Sequence, residues 1–213
     1  MEIVPTDAEI LKVYSDIHCE AEHELMTLDE LLTDYLMDEP GVIKAYLGDN
    51  VDRTRAKKKR LPACDRAIDI IRRADGPYRV RVWGNHELLG AEGPLSIAIE
   101  VNGKRIILDH SDRWFWGHGR ALEYRHKKPG SGWFMRNIWS RGIEELREVF
   151  PGVPDQEFID AVVDYSKYWQ AQMFIGGHKH PREMFDEEHD GVRVIVVKRG
   201  VTVLNLKEWS CFK

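Results

Sequence analysis

Five short segments bring metal-ligand and acid–base residue types together: Asp16-Ile17-His18, Gly48-Asp49-Asn50-Val51-Asp52-Arg53, Gly84-Asn85-His86-Glu87, His110-Ser111-Asp112 and Gly177-His178-Lys179-His180. On an extended chain, residues two apart share a face, so Asp16 with His18, or His178 with His180, could address one ion. A carboxylate placed like Asp49 has two oxygens and could bridge two cations, although an Asp-rich turn is the plain alternative. The Asn85 amide oxygen is a neutral ligand, and the adjacent His86 is the side-chain type best suited to give a proton near neutral pH. Taken singly, the first segment is weak and His110 reads as a loop histidine, whereas the 84–87 tetrapeptide is far rarer than composition predicts. Five of the nine histidines fall in these segments. Pooled, Asp16, His18, Asp49, Asn85, His110, His178 and His180 supply enough oxygen and nitrogen ligands for two cations sharing one carboxylate. No thiolate contributes, so Mn(II), Fe or Zn suits the set better than a soft metal.

Each segment follows an element that would position it. Apolar runs at 10–14, 42–47, 78–83 and 173–175 end in polar clusters and read as buried strands. Thr27 and Glu30 have capping-box spacing ahead of Leu31, Leu32, Tyr35 and Leu36. A second helix is expected over 62–73, with Ala67, Ile68 and Ile71 on one face. Residues 95–101 and 104–109 flank Asn102-Gly103 as a hairpin with a primed turn. Asp190-Gly191 precedes a strand at 192–197, and Gly200 separates it from another at 201–206. Residues 111–170 are aromatic, basic and Gly-containing, then helical through 155–170. Helix-separated strands followed by hairpins point to an α/β core with added antiparallel strands.

At 213 residues the chain fits one domain spanning 1–213, with an aromatic-rich, partly helical insertion at about 111–170. Hydrophobic residues are 43% and charged residues 31%, a balance that excludes disordered and fibrous classes. No apolar run reaches the roughly 18 residues of a membrane span, and the N-terminus has no signal-peptide pattern. The formal charge of −5 gives no global attraction to nucleic acid. Cys19, Cys64 and Cys211 form no CxxC pair, so neither a disulfide framework nor a thiolate zinc site is indicated, and a reducing, cytoplasmic setting is expected.

In order and type, these segments resemble the signature of the calcineurin-like metallophosphoesterase superfamily: D-x-H, G-D-x-x-D, G-N-H-[DE], a His, and G-H-x-H. The resemblance runs from about residue 10 to 206. It implies an α/β/β/α sandwich of two mixed sheets flanked by helices, with the ligands on loops at one edge. It implies one divalent ion on Asp16, His18, Asp49 and His180, and a second on Asp49, Asn85, His110 and His178, with manganese first in order and iron or zinc as alternatives. His86 would be the general acid, oriented by Asp52, and a hydroxide bridging the ions would attack phosphorus.

The substrate class divides into two branches. The Gly48–Arg53 and Gly84–Glu87 motifs are also similar to those of phosphoprotein phosphatases, which makes Arg53 a phosphate-clamp residue. Against that branch, Cys19 and Thr54 stand where it carries glycines, and the second imidazole of Gly-His-Lys-His is foreign to it. Phosphodiesterases and pyrophosphate-cleaving hydrolases, including UDP-diacylglucosamine hydrolases, share G-H-x-H and a helical insertion before it. Here that interval holds Trp114, Trp116, Trp133, Trp139 and Trp169, either an aromatic lid or plain packing. The expected activity is therefore hydrolysis of a phosphodiester or pyrophosphate bond in a phosphorylated small molecule or nucleotide. A phosphomonoester or phosphoprotein phosphatase is the alternative, and a non-catalytic scaffold of the same fold is the reading from another class. The basic run at 53–60, RTRAKKKR, is either a solvated loop or a clamp for a nucleotide or nucleic acid.

Overall fold

The structure is a computed structural model that describes residues 1–20, 25–53, 56–84, 87, 94, 96–111, 114 and 154–207. In chain order its elements are β1 (Ile3–Thr6), β2 (Ile10–Ser15), α1 (Leu28–Leu36), β3 (Val42–Tyr46), α2 (Leu61–Arg73), β4 (Arg79–Arg81) and β5 (Ser96–Val101). They continue with β6 (Lys104–Asp109), α3 (Gln156–Tyr168), β7 (Met173–Gly176), β8 (Phe185–His189), β9 (Val192–Val196) and β10 (Gly200–Asn205). One sheet has the order β1-β5-β6-β7-β9-β8 and the other β10-β2-β3-β4, and both mix parallel with antiparallel pairs.

Side-chain alternation along the strands builds the layers. Leu11, Val13, Ile43, Ala45, Ile97, Ile99, Ile106, Leu108, Met173 and Ile175 face inward and form the core between the two sheets. Their neighbours Tyr14 and Tyr46 face outward, where Leu31 and Tyr35 of α1 and Cys64, Ala67 and Ile71 of α2 cover them. On the other sheet, Ile107, Phe174, Val194 and Val196 turn outward onto Phe158, Ile159, Val162 and Val163 of α3. Three apolar clusters separated by two sheets make an α/β/β/α sandwich. The C-terminal part of the 111–170 segment thus supplies one of the sandwich's covering helices, while 115–153 lies outside the described residues. Among the described residues no helix is long and apolar enough to cross a membrane.

Local signals account for several boundaries. α1 starts at the Thr27–Glu30 capping box. Its C-terminal carbonyls at Asp34 and Met37 accept from the buried Lys44 ammonium, which also pairs with Glu39 at 2.6 Å. Asn102 and Gly103 both have positive φ, +52° and +72°, as a type I′ hairpin requires. Two strands were not anticipated. β1 is a four-residue edge strand containing Pro5, and β8, Phe-Asp-Glu-Glu-His, has no apolar alternation. The adjacent runs β9 and β10 belong to different sheets, and Gly200 at φ +105° stands where the chain changes sheet.

Candidate metal centre

Strands β2, β3 and β4 run parallel in one sheet, as do β6, β7 and β9 in the other, so their carboxyl ends deliver loops to a common edge. Asp16 and His18 follow β2, Asp49 and Asp52 follow β3, His110 follows β6, and His178 and His180 follow β7. One ligand atom from each of Asp16, Asp49, His110 and His178 lies within 4.8 Å of the others, and the same holds for Asp16, His18 and His180. Asp16 is common to both groups. Six of the seven expected ligands therefore converge, and Asn85 and His86 lie outside the described residues.

The chain holds these side chains in an uncommon backbone state. Asp16, His18, Asp49, His178 and His180 all have φ between +47° and +69°. Such left-handed residues cost on the order of 1–3 kcal/mol each unless surrounding structure fixes them. Here a ladder fixes the first two loops against one another: Asp16 N–H donates to Gly48 O (3.1 Å), His18 N–H to Asp49 O (3.0 Å) and Cys19 N–H to Asn50 O (2.8 Å). Asn50 is fully buried and locks the pair, since its amide nitrogen donates to Tyr14 O at 2.9 Å and its oxygen accepts from Ile17 N–H at 3.3 Å.

The donor set is suited to a divalent cation. Asp16, Asp49, His110 and His178 are at most 6% exposed, and buried carboxylates require partners. His110 Nδ1 faces the Leu47 carbonyl at 2.9 Å, an acceptor only, so Nδ1 donates there and Nε2 is the nitrogen turned to the site. His110 Nε2 lies 3.1 Å from Asp49 Oδ2 and 3.2 Å from His178 Nδ1. In the second group, His18 Nδ1 meets Asp52 Oδ2 at 3.0 Å, while His180 Nε2 lies 2.9 Å from Asp16 Oδ1. Asp16 Oδ2 accepts from Ser15 Oγ–H (2.5 Å) and His178 N–H (2.9 Å). Burial alone would raise the Asp16 carboxyl, but His180, with His110 and His18, carries it well below the usual range. Lone pairs from two carboxylates and several imidazoles, fixed by outer contacts and closed to thiolates, fit hard or borderline divalent ions.

The Asp52–His86 contact lies outside the described residues, and Asp52 itself is seen on His18. Arg53, expected to clamp phosphate, donates from Nε to Asp65 of α2 at 2.6 Å. Of the tryptophans, Trp114 and Trp169 pack with Tyr165 against α3, and Trp116, Trp133 and Trp139 lie outside the described residues.

Residues given no role from sequence also shape the site. Glu87 is completely buried: Oε1 accepts from Tyr46 O–H (2.6 Å), Asn50 N–H (2.6 Å) and Val51 N–H (3.3 Å), and Oε2 from Gly84 N–H (2.8 Å). It thereby ties the loop after β4 to the loop after β3. Burial, followed by the Asp49 charge, pushes its carboxyl up to about 7, against the pull of the Tyr46 and Gly84 hydrogen bonds. The Gly-Asn-His-Glu tetrapeptide contained a signal for Glu87. Arg199 had none: its Nε donates to Asp16 O at 3.1 Å across 183 positions.

No family model and no curated protein matches the chain. Solved structures do. Vps29 from Chaetomium thermophilum aligns with a TM-score of 0.50 at 11% identity, over 90% of this chain and 72% of that one. A dimetal phosphatase from Danio rerio aligns at 0.48 and 15% identity, over 94% and 93%. A predicted phosphoesterase from Streptococcus pneumoniae aligns at 0.44 and 12% identity, over 90% and 72%. At such identities the likeness concerns architecture. Together with the two sheets and their three apolar clusters, the likeness to Vps29 shows a metallophosphoesterase-type α/β/β/α fold.

Proposed function

We propose that the chain is a dinuclear metal-dependent phosphoesterase that hydrolyses a phosphodiester or pyrophosphate bond. The observation that carries this reading is the convergence of Asp16, Asp49, His110 and His178 on one point and of Asp16, His18 and His180 on a neighbouring one. Manganese is the first metal to test, with iron and zinc next. In the proposal Asn85 completes the ligand set and Asp49 or Asp16 is the shared carboxylate. Two divalent ions would acidify a water and neutralise charge developing on the phosphoryl oxygens.

The protein's own contributions follow from its side chains. Asp52 holds the His18 ring so that Nε2 remains available, and Leu47 O does the same for His110. His86 supplies a proton to the leaving oxygen, a role typically worth 10²–10⁴-fold. Comparing hydrolysis of bis-p-nitrophenyl phosphate and p-nitrophenyl phosphate by the manganese-loaded protein tests the reading. Faster turnover of the diester is expected. A preference for the monoester would favour the phosphatase alternative, and stoichiometric metal without turnover of either would favour a non-catalytic scaffold.

A further inference from the structure

The chain's net charge is −5, so a cluster of uncompensated cations is a local exception. Lys57, Lys58 and Lys59 are exposed in the turn that joins the Asp52 loop to α2. Acids near this turn and along α2 already have partners: Asp65 with Arg53 at 2.6 Å, Glu20 with Arg60 at 3.4 Å, and Asp69 with Arg72 and Arg73 at 2.8 Å each. Among the described residues, Lys57, Lys58, Lys59 and Arg66 make no ion pair. The base of the turn is fixed beside the candidate metal centre. Ala56 N–H donates to Asp52 O at 3.0 Å, Arg60 N–H to Lys57 O at 2.7 Å, and the Asp52 carboxylate holds His18.

A small phosphoester carries its charge where the metal ligands already answer it. Three further cations beginning five residues beyond Asp52 match a substrate whose charges continue past the scissile group. We propose that this turn binds the backbone of a single-stranded polynucleotide whose phosphodiester occupies the candidate metal centre. The inference rests on the phosphoesterase reading. Lysine ammoniums act as point charges without the bidentate geometry of arginine, so the contact is to phosphates and independent of base sequence.

The test compares the full chain with a Lys57→Ser, Lys58→Ser, Lys59→Ser variant, both loaded with manganese. For single strands each neutralised phosphate adds about 0.7 to the slope of log affinity against log salt, so three lysines contribute about 2. Raising salt from about 50 to 200 mM should therefore cost the unmodified protein roughly twentyfold more kcat/KM on a short oligodeoxynucleotide than it costs the variant. Turnover of bis-p-nitrophenyl phosphate should change by less than about twofold, showing that the variant is folded. Equal salt slopes on the oligonucleotide would overturn the proposal. So would inorganic polyphosphate competing more tightly, per phosphate, than the oligonucleotide. If the unmodified protein cleaves neither ester, the phosphoesterase reading fails by itself. Fluorescence anisotropy of a labelled oligonucleotide then decides the surface: a slope about 2 steeper for the unmodified protein supports it, and equal slopes overturn it.

Discussion

Gly84→Ala isolates how tightly the candidate centre is built. A Cβ at Gly84 would lie 2.5 Å from Asp49 N and 2.6 Å from Asp49 Cγ, and closer still to Asp49 Oδ1. Ordinary contacts exceed about 3.4 Å, so something must move by about 1 Å. Asp49 is 1% exposed and in the left-handed region at φ +52°, with its main chain held by His18 N–H. Relief therefore cannot come from a flexible side-chain end; it shifts the carboxylate. Overpacking of this kind costs about 1–3 kcal/mol, which at roughly 2–4 °C per kcal/mol for a chain of this size lowers Tm by about 2–12 °C. Displacing a ligand should also weaken manganese binding at least about tenfold, by analogy with losses seen when only outer contacts are removed. Gly76→Ala is the matched control, because its Cβ would meet nothing nearer than Ala74 O at 4.0 Å. Thermal melts and manganese titrations of both variants make the assay. Equal melting temperatures and equal manganese affinities for the two would refute the packing argument.

Glu87→Gln should change stability in a pH-dependent way. In the metal-free protein the carboxyl's value is raised from 4.5 to about 7, so between those values the folded state binds more protons and stability falls as pH rises. Gln does not titrate, so the stability gap between the two proteins should shift by up to roughly 3 kcal/mol in the variant's favour from about pH 4.5 to 7.5. Urea unfolding at each end measures it, and a pH-independent gap would show that the carboxyl is not desolvated as described. Asp52→Asn removes the carboxylate behind His18 and should weaken manganese affinity by about 10–100-fold. Calorimetric titration would expose an unchanged affinity, which is incompatible with Asp52 fixing that ring.

Legibility in the sequence followed the strength of local rules. The capping box at Thr27, the Asn-Gly turn at 102–103 and the runs behind β2, β3 and β7 each have a short-range cause, and each lies where expected. β8 did not, because a strand read from apolar alternation disappears when its residues are Asp186, Glu187 and Glu188 at a sheet edge. The sheet change between β9 and β10 was equally hidden, since pairing partners are set by tertiary packing. In the centre, the ligand types could be read from spacing after strand ends. Which residues hold those ligands could not. Asp52 on His18, Arg53 on Asp65, and Glu87 beneath Asn50 are contacts between loops, decided by how two strand ends align.

Anomalous scattering from manganese-soaked crystals, collected across the manganese edge, addresses the central claim most directly. The expected map has two peaks about 3.5–4 Å apart, one against Asp49, His110 and His178 and the other against His18 and His180, with Asp16 or Asp49 between them. A map with no peak at this edge of the sheets, or with both ions away from Asp16 and Asp49, would contradict it.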